Sequence, residues 1–232
     1  MTGHVPEPRT PRRLDAALHD AGLRAAIGYW DSLRGPRALP ARMELDPAAL
    51  RPHLQDAAIL ELSRPGSLRI RLGGARINAL LGMDVRGLPL RALFDLSERA
   101  RVSSEVEAAM RAPAALLLDV ISPAPRFGRP EAELLRAQIA ILPMTDADLA
   151  PTRALYVMGA VEGEARPADT PHRWCTTQMH KLLLRPGEPV LSDAPAMRPA
   201  RRGDTAHRDE TASETRGLLA RARFRVIEGG RS

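Results

Sequence analysis

Lysine is all but missing from this chain. Of its 34 basic Lys and Arg residues, Lys181 alone is a lysine. Arg abundance beside Ala, Pro and Leu is the signature of a GC-rich genome, so the bias by itself does not indicate a binding device. Cysteine is nearly absent too. The single Cys175 excludes an internal disulfide and fits a reducing compartment. Aromatic residues make up only 3% of the chain, leaving little to stack on a flat cofactor. No window approaches the ~18 uninterrupted apolar residues that a membrane-spanning helix requires. The opening MTGHVPEPRTPRR is rich in Pro and Arg and has no apolar stretch of signal-peptide type behind it. The expectation is a cytoplasmic protein with no membrane association.

What is present is a 232-residue chain that is 44% apolar. That is too apolar for disorder throughout. At this length a folded chain buries roughly 70% of the surface its unfolded form exposes, so one core can form without covalent staples. The net charge of +6 is unevenly placed. Residues 1–34 hold 5 Arg against 4 acids, and residues 35–165 balance 16 against 16. Residues 166–232 hold 13 Arg plus Lys against 8 acids, so the excess sits in the last part of the chain.

Periodicity divides the chain further. Residues 1–13 carry three Pro and no pattern, and are expected to form a disordered arm. Residues 14–34 read as a helix whose stripe is Leu23, Ile27, Trp30 and Arg34, ended by Gly35-Pro36. Asp46-Pro47 reads as a helix start running to about Leu54. AAILELS over 57–63 and SLRIRLG over 67–73 form a hairpin across Arg64-Pro65-Gly66. In the second strand Leu68, Ile70 and Leu72 alternate with Arg69 and Arg71, which should share the opposite face. Short helical pieces follow over 75–94, with Gly82 as a helix C-terminal glycine, and then a helix over 97–112. Strands are expected at 116–122, 131–144 and 153–162, joined by loops rich in Pro, Gly, Asp and Thr. Hairpins at both ends with helices between them predict an α+β fold. In it a five-stranded antiparallel sheet carries helices on one face and is preceded by an N-terminal helix.

The order of elements and several short motifs resemble a bacterial family of largely stand-alone PAS-domain proteins. The carrying residues are Tyr29-Trp30, Arg34, Leu39-Pro40, Arg42, Asp46-Pro47 and Leu50. Downstream, Arg71, Gly74, Gly82 and Gly87 match the family's Arg–Gly core, and Leu142-Pro143 and Met158-Gly159 match the last two strands. The resemblance covers roughly residues 20–165. It implies a PAS domain over 35–165, a sensory or signalling module working through protein–protein interaction, and a cavity between sheet and helices that can hold a small ligand. Candidate cavity residues are Ile77, Leu81, Met83, Val102, Val106 and Met110. The resemblance further implies that partners use the outer sheet face and the N-terminal helix. Tyr29, Trp30, Arg69 and Arg71 are therefore interface candidates, and a homodimer through the helix is expected beside an unidentified signalling partner.

Chemistry narrows the choice. No histidine lies between His53 and His172 to serve as a haem ligand on the helical side, and Cys175 lies outside the domain, away from any flavin. No cofactor is expected. His172, Cys175 and His180 lack a fourth ligand, so no metal site is expected. Phosphate loops, Gly-x-Ser-x-Gly and His-Glu-x-x-His are missing, so no catalytic residues and no enzyme are expected. A small-molecule enzyme on the same scaffold is the weaker alternative. Residues 166–232 read as a basic, largely flexible tail, with Gln178 to Leu184 as a short helix. The element at 217–227 could dock on the domain or a partner. Its Arg221, Arg223 and Arg225 could contact phosphates, which makes a nucleic-acid-associated regulator the other alternative, disfavoured because a single Phe224 is the only aromatic there.

Overall fold

The computed structural model describes residues 13–123, 134–163 and 171–192. Helix α1 (Ala21–Arg34) begins where Asp20 accepts a hydrogen bond from the Leu23 amide, and ends at Gly35. The expected helix after Asp46 is not continuous. Asp46 accepts from the Ala48 amide, and the regular part is a 3-10 stretch over Arg51–Asp56 with a Pro in its first turn. Strands β1 (Ala57–Leu62) and β2 (Leu68–Gly73) form the expected hairpin. Helix α2 (Ala75–Leu81) closes on Gly82, whose φ of 73° is the left-handed conformation that favours glycine. A 3-10 turn at Leu90–Leu93 leads to helix α3 (Arg99–Arg111). Strands β3 (Ala114–Pro123), β4 (Leu134–Met144) and β5 (Arg153–Met158) follow.

Among the described residues the sheet has six strands rather than five. The order is β2-β1-β5-β4-β3-β6, every pair antiparallel. The added strand, β6 (Cys175–Leu183), comes from the segment read as a flexible tail and overlaps the short helix expected at Gln178–Leu184. Its pattern was hard to read as a strand because a bulge opposite Asp119 and Val120 interrupts the alternation. A second bulge, at Arg71 of β2 opposite Ile59 and Leu60, corrects the reading of β2. Leu68 and Ile70 are buried, but the register slip turns Leu72 outward, where it is 53% exposed.

Both faces of the sheet are covered, another departure from the expected one-sided packing. On the inner face α2, the Leu90–Leu93 turn and α3 pack on Leu60, Ile70, Leu116, Leu118, Ile139 and Tyr156. On the outer face α1 packs on β4 and β5, burying Ile27, Tyr29 and Trp30 against Leu117, Leu142 and Leu155. Alternate residues of one strand thus serve two cores: Leu116 and Leu118 inside, Ala115 and Leu117 outside.

Beyond β6 the chain returns over α1 as a strap. Val190 and Leu191 are buried in the outer core. The strap is held by a buried ion pair one turn apart on α1. Arg34 Nε donates to Asp31 Oδ1 at 2.9 Å, and Asp31 Oδ2 accepts from the Val190 amide at 2.9 Å. The rest of the Arg34 guanidinium donates to the carbonyls of Arg37, Arg185 and Glu188. The N-terminal side joins in: the Leu14 amide donates to Val190 O, and the Ser192 amide and hydroxyl donate to Asp15.

Two outcomes are expected from substitutions here. Removing one partner of a buried pair strands the other's charge. Arg34→Met should therefore lower unfolding free energy by about 3 kcal/mol in denaturant titrations. A loss under about 1 kcal/mol would show that the pair does not hold the strap. Gly74→Ala would place a Cβ 2.2 Å from Gln55 O and 2.4 Å from Leu54 O, both backbone atoms that cannot swing aside. It should cost about 2 kcal/mol or more, and a neutral melting temperature would contradict the tight approach.

Candidate functional site

The inner core is where the expected cavity residues meet. Ile77 and Leu81 from α2 and Val102, Val106 and Met110 from α3 all face it and are buried. Met83 does not join them. It follows the left-handed Gly82, which turns the chain out of the helix, and it is 52% exposed. Helical spacing puts the first five on that core, whereas Met83 lies beyond the point where that spacing stops.

Several polar groups line the same face. Tyr156 on β5 is fully buried, and its hydroxyl has no hydrogen-bond partner among the described residues. Burial, with a smaller contribution from the negative charge of Asp56, holds its proton far above the ordinary tyrosine range. Asp56, just before β1, is pushed up by burial despite Arg76, whose Nε is 2.9 Å from Oδ1. Glu107 on α3 is buried and accepts from the Gly66 amide, tying the β1–β2 turn to the helix. Sequence reading missed Tyr156 and Asp56. The available signal was a lone polar-tipped ring in the otherwise apolar run ALYVM.

His172 lies beyond the expected domain boundary at 165, but the fold brings it back. Its amide donates to Leu80 O at the end of α2, and its Nδ1 lies 3.4 Å from the buried Ser122 hydroxyl. Trp174, two residues on, is buried in the inner core and exchanges backbone bonds with Leu93 and Asp95. Cys175 pairs with Ile121 and His180 with Leu117, so His172, Cys175 and His180 do not converge. Among the described residues no group of three or more His, Cys, Asp or Glu could hold a metal ion.

The interface candidates divide. Tyr29 and Trp30 are covered by the chain's own residues, and the Tyr29 hydroxyl accepts from the Asp46 amide. Only Ala21, Gly22 and Ser32 of α1 are exposed. In this arrangement the two rings fix α1 to the sheet and offer a partner no surface. Arg69 and Arg71 are exposed on the hairpin as expected, but both are engaged. Arg69 donates to Gly87 O at 2.9 Å, and Arg71 pairs with Glu61, which also holds Arg153 at 3.0 Å. Arg221, Arg223 and Arg225 lie outside the described residues.

A concavity opens on the outer side at the start of α1. It has a volume of about 400 Å³ and is lined in part by His19, Asp119, Arg136, Gln138, Glu162 and Thr177. Gln138 organises it. Its Oε1 accepts from the His19 and Asp20 amides, and its Nε2 donates to Ala17 O and Asp119 Oδ1. With all four bonds made, Gln138 serves as a brace between the N-terminal segment and the sheet.

No helix among the described residues is long and apolar enough to cross a membrane.

Burial holds the His172 imidazole below its ordinary value of 6.5. Below that pH the unfolded chain binds a proton that the folded ring resists, so stability falls as pH drops. His172→Asn should flatten the decline in unfolding free energy between about pH 7.5 and 5.5. Parallel curves for the two proteins would rule out that coupling.

The comparisons with known proteins bear on this geometry. No curated protein matches the chain. A solved structure described as an RNA-binding light-oxygen-voltage receptor aligns at 18% identity with a TM-score of 0.32. The match covers 52% of this chain and 35% of that one, so the chain spans about a third of its length. A family model described as PAS domain matches residues 18–159, which takes in α1, both hairpin strands, α2, α3 and β3 to β5. With more than half its length inside that match, and with the β2-β1-β5-β4-β3 order of its sheet, the chain belongs to the PAS-domain family.

Proposed function

We propose that this PAS module acts by binding a protein partner, and that a small molecule held in the inner core modulates that binding. The observation supporting it is the Asp31–Arg34 pair, which fastens the strap after β6 to the helix on the opposite side of the sheet from the candidate cavity. Inner and outer cores share the backbone of β3, β4 and β5. A molecule that spreads α2 or α3 from the sheet shifts Leu116 and Leu118 inside, and Ala115 and Leu117 outside must follow. The strap, resting on Leu182, Leu184 and α1, is where that shift reaches the surface. A partner that reads the strap then senses occupancy of the inner core through the different affinities of two arrangements.

The test pairs native mass spectrometry with amide exchange. Purified protein should show excess mass under native conditions that disappears on denaturation. After extraction of the bound molecule, exchange at Val190 and Leu191 should quicken several-fold. Absence of excess mass, with exchange in the strap unchanged by added metabolite extract, would sink this reading.

A further inference from the structure

Tyr156 points to the chemistry of the molecule the inner core would take, an inference that rests on the ligand reading above. On β5 its direct partner across the ladder is Ala58 of β1. Asp56 lies two residues before Ala58, so it is the diagonal neighbour of Tyr156 on the same side of the sheet. Such neighbours are roughly 7–8 Å apart at the backbone, within reach of a tyrosine side chain. The small Ala58 methyl, with Ala154 two residues back along β5, leaves the ring flanked by the smallest side chains on that face.

Among the described residues one polar atom at each end, Tyr156 Oη and Asp56 Oδ1, is buried without a directed protein partner. The Tyr156 hydroxyl has none among the described residues. Asp56 Oδ1 is likewise buried without a hydrogen bond, although Arg76 Nε stands 2.9 Å away, too poorly aligned to donate. Arg76 therefore balances the charge of Asp56 and leaves its acceptor capacity open. Buried polar groups are almost always satisfied, and a native exception calls for a non-protein partner. A tyrosine hydroxyl donates one bond and a carboxylate only accepts. One hydroxyl placed between them accepts from the first and donates to the second. Ile77, Leu81, Val102, Val106 and Met110 belong to the same apolar core as Tyr156, so the body behind that group would be apolar. A charged ligand is disfavoured, since Asp56 already has its counter-ion and an extra charge would be buried unpaired.

We infer that Tyr156 and Asp56 form a polar subsite for the hydroxyl or primary amide of a small, uncharged, aliphatic ligand. The group accepts from Tyr156 Oη and donates to Asp56 Oδ1. An ordered water supplies the same two bonds, and the experiment separates the two sources.

Binding of hexanol, hexanamide and hexane to the full chain is measured by calorimetry, in the native protein and in Tyr156→Phe. Hexanol and hexanamide should bind the native protein and lose about tenfold in affinity in the variant, while hexane should be insensitive to the change. Equal hexanol affinity in both proteins overturns the subsite and leaves the ligand reading standing. If neither alcohol, amide nor alkane binds and Tyr156→Phe raises the melting temperature, the subsite holds at most a water and the inference fails. If the same protein also carries no excess mass under native conditions, the ligand reading falls with it. Should Tyr156→Phe fail to fold, fluorotyrosine labelling gives an independent readout, because the chain has only two tyrosines. Saturating hexanol should move one of the two fluorine resonances and hexane should not. Identical spectra overturn the inference.

Discussion

The buried pair of Asp31 and Arg34 is the constraint on which the outer half of this molecule depends. An arginine that is 1% exposed is tolerable only if every side of its guanidinium is met, and here one carboxylate and three backbone carbonyls meet it. Two of those carbonyls belong to the strap, so helix and strap must be in place together. The Trp30 ring lies 5.8 Å from the same guanidinium, adding a cation–π contact and sealing the pair from water. The Trp-x-x-x-Arg spacing thus has a physical reason. Positions four apart lie on one helix face, which lets an aromatic wall and a charged staple work side by side.

The sheet distributes that constraint. Because successive residues of a strand point to opposite faces, β3 to β5 are lined with apolar residues on both sides. Such strands read as continuous runs, LLLDVIS and ALYVM among them, rather than as strict alternation. A layer so placed can move very little without disturbing packing on both faces, since interiors are close-packed. The polar residues that do occur on it are accordingly tied down. Gln138 makes four bonds at the outer rim, and Ser122 meets His172 at the inner one. Tyr156 stands apart from that rule.

Much of the fold was legible in the sequence because its signals are local. The hairpin turn, the Gly82 stop, the α3 stripe and the three later strands lie close to where composition and period place them. Helical spacing alone puts five of the six cavity candidates in the inner core. The failures share a cause: they depend on partners distant in sequence. Nothing between 171 and 192 announces that His172 will find Leu80, that Trp174 will find Leu93, or that β6 will pair with β3. Bulges opposite Asp119 and in β2 shift the apolar period by one residue, which a strict alternation rule cannot anticipate. Trp30 and Arg34 were visible as a stripe, but only the returning strap shows what the arginine is for. Tyr156 and Asp56 belong to different strands, and register alone makes them neighbours.

The strap also brings two distant stretches of the chain together. Arg13 donates to the Ser192 hydroxyl at 2.9 Å, and the next residue along, Leu14, bonds to Val190. The approach to α1 and the end of the strap therefore sit side by side. A domain of that geometry can be spliced into a loop of another protein without stretching its host. A short link from residue 13 to residue 192 would equally let it be reopened at a surface turn such as Arg64–Ser67.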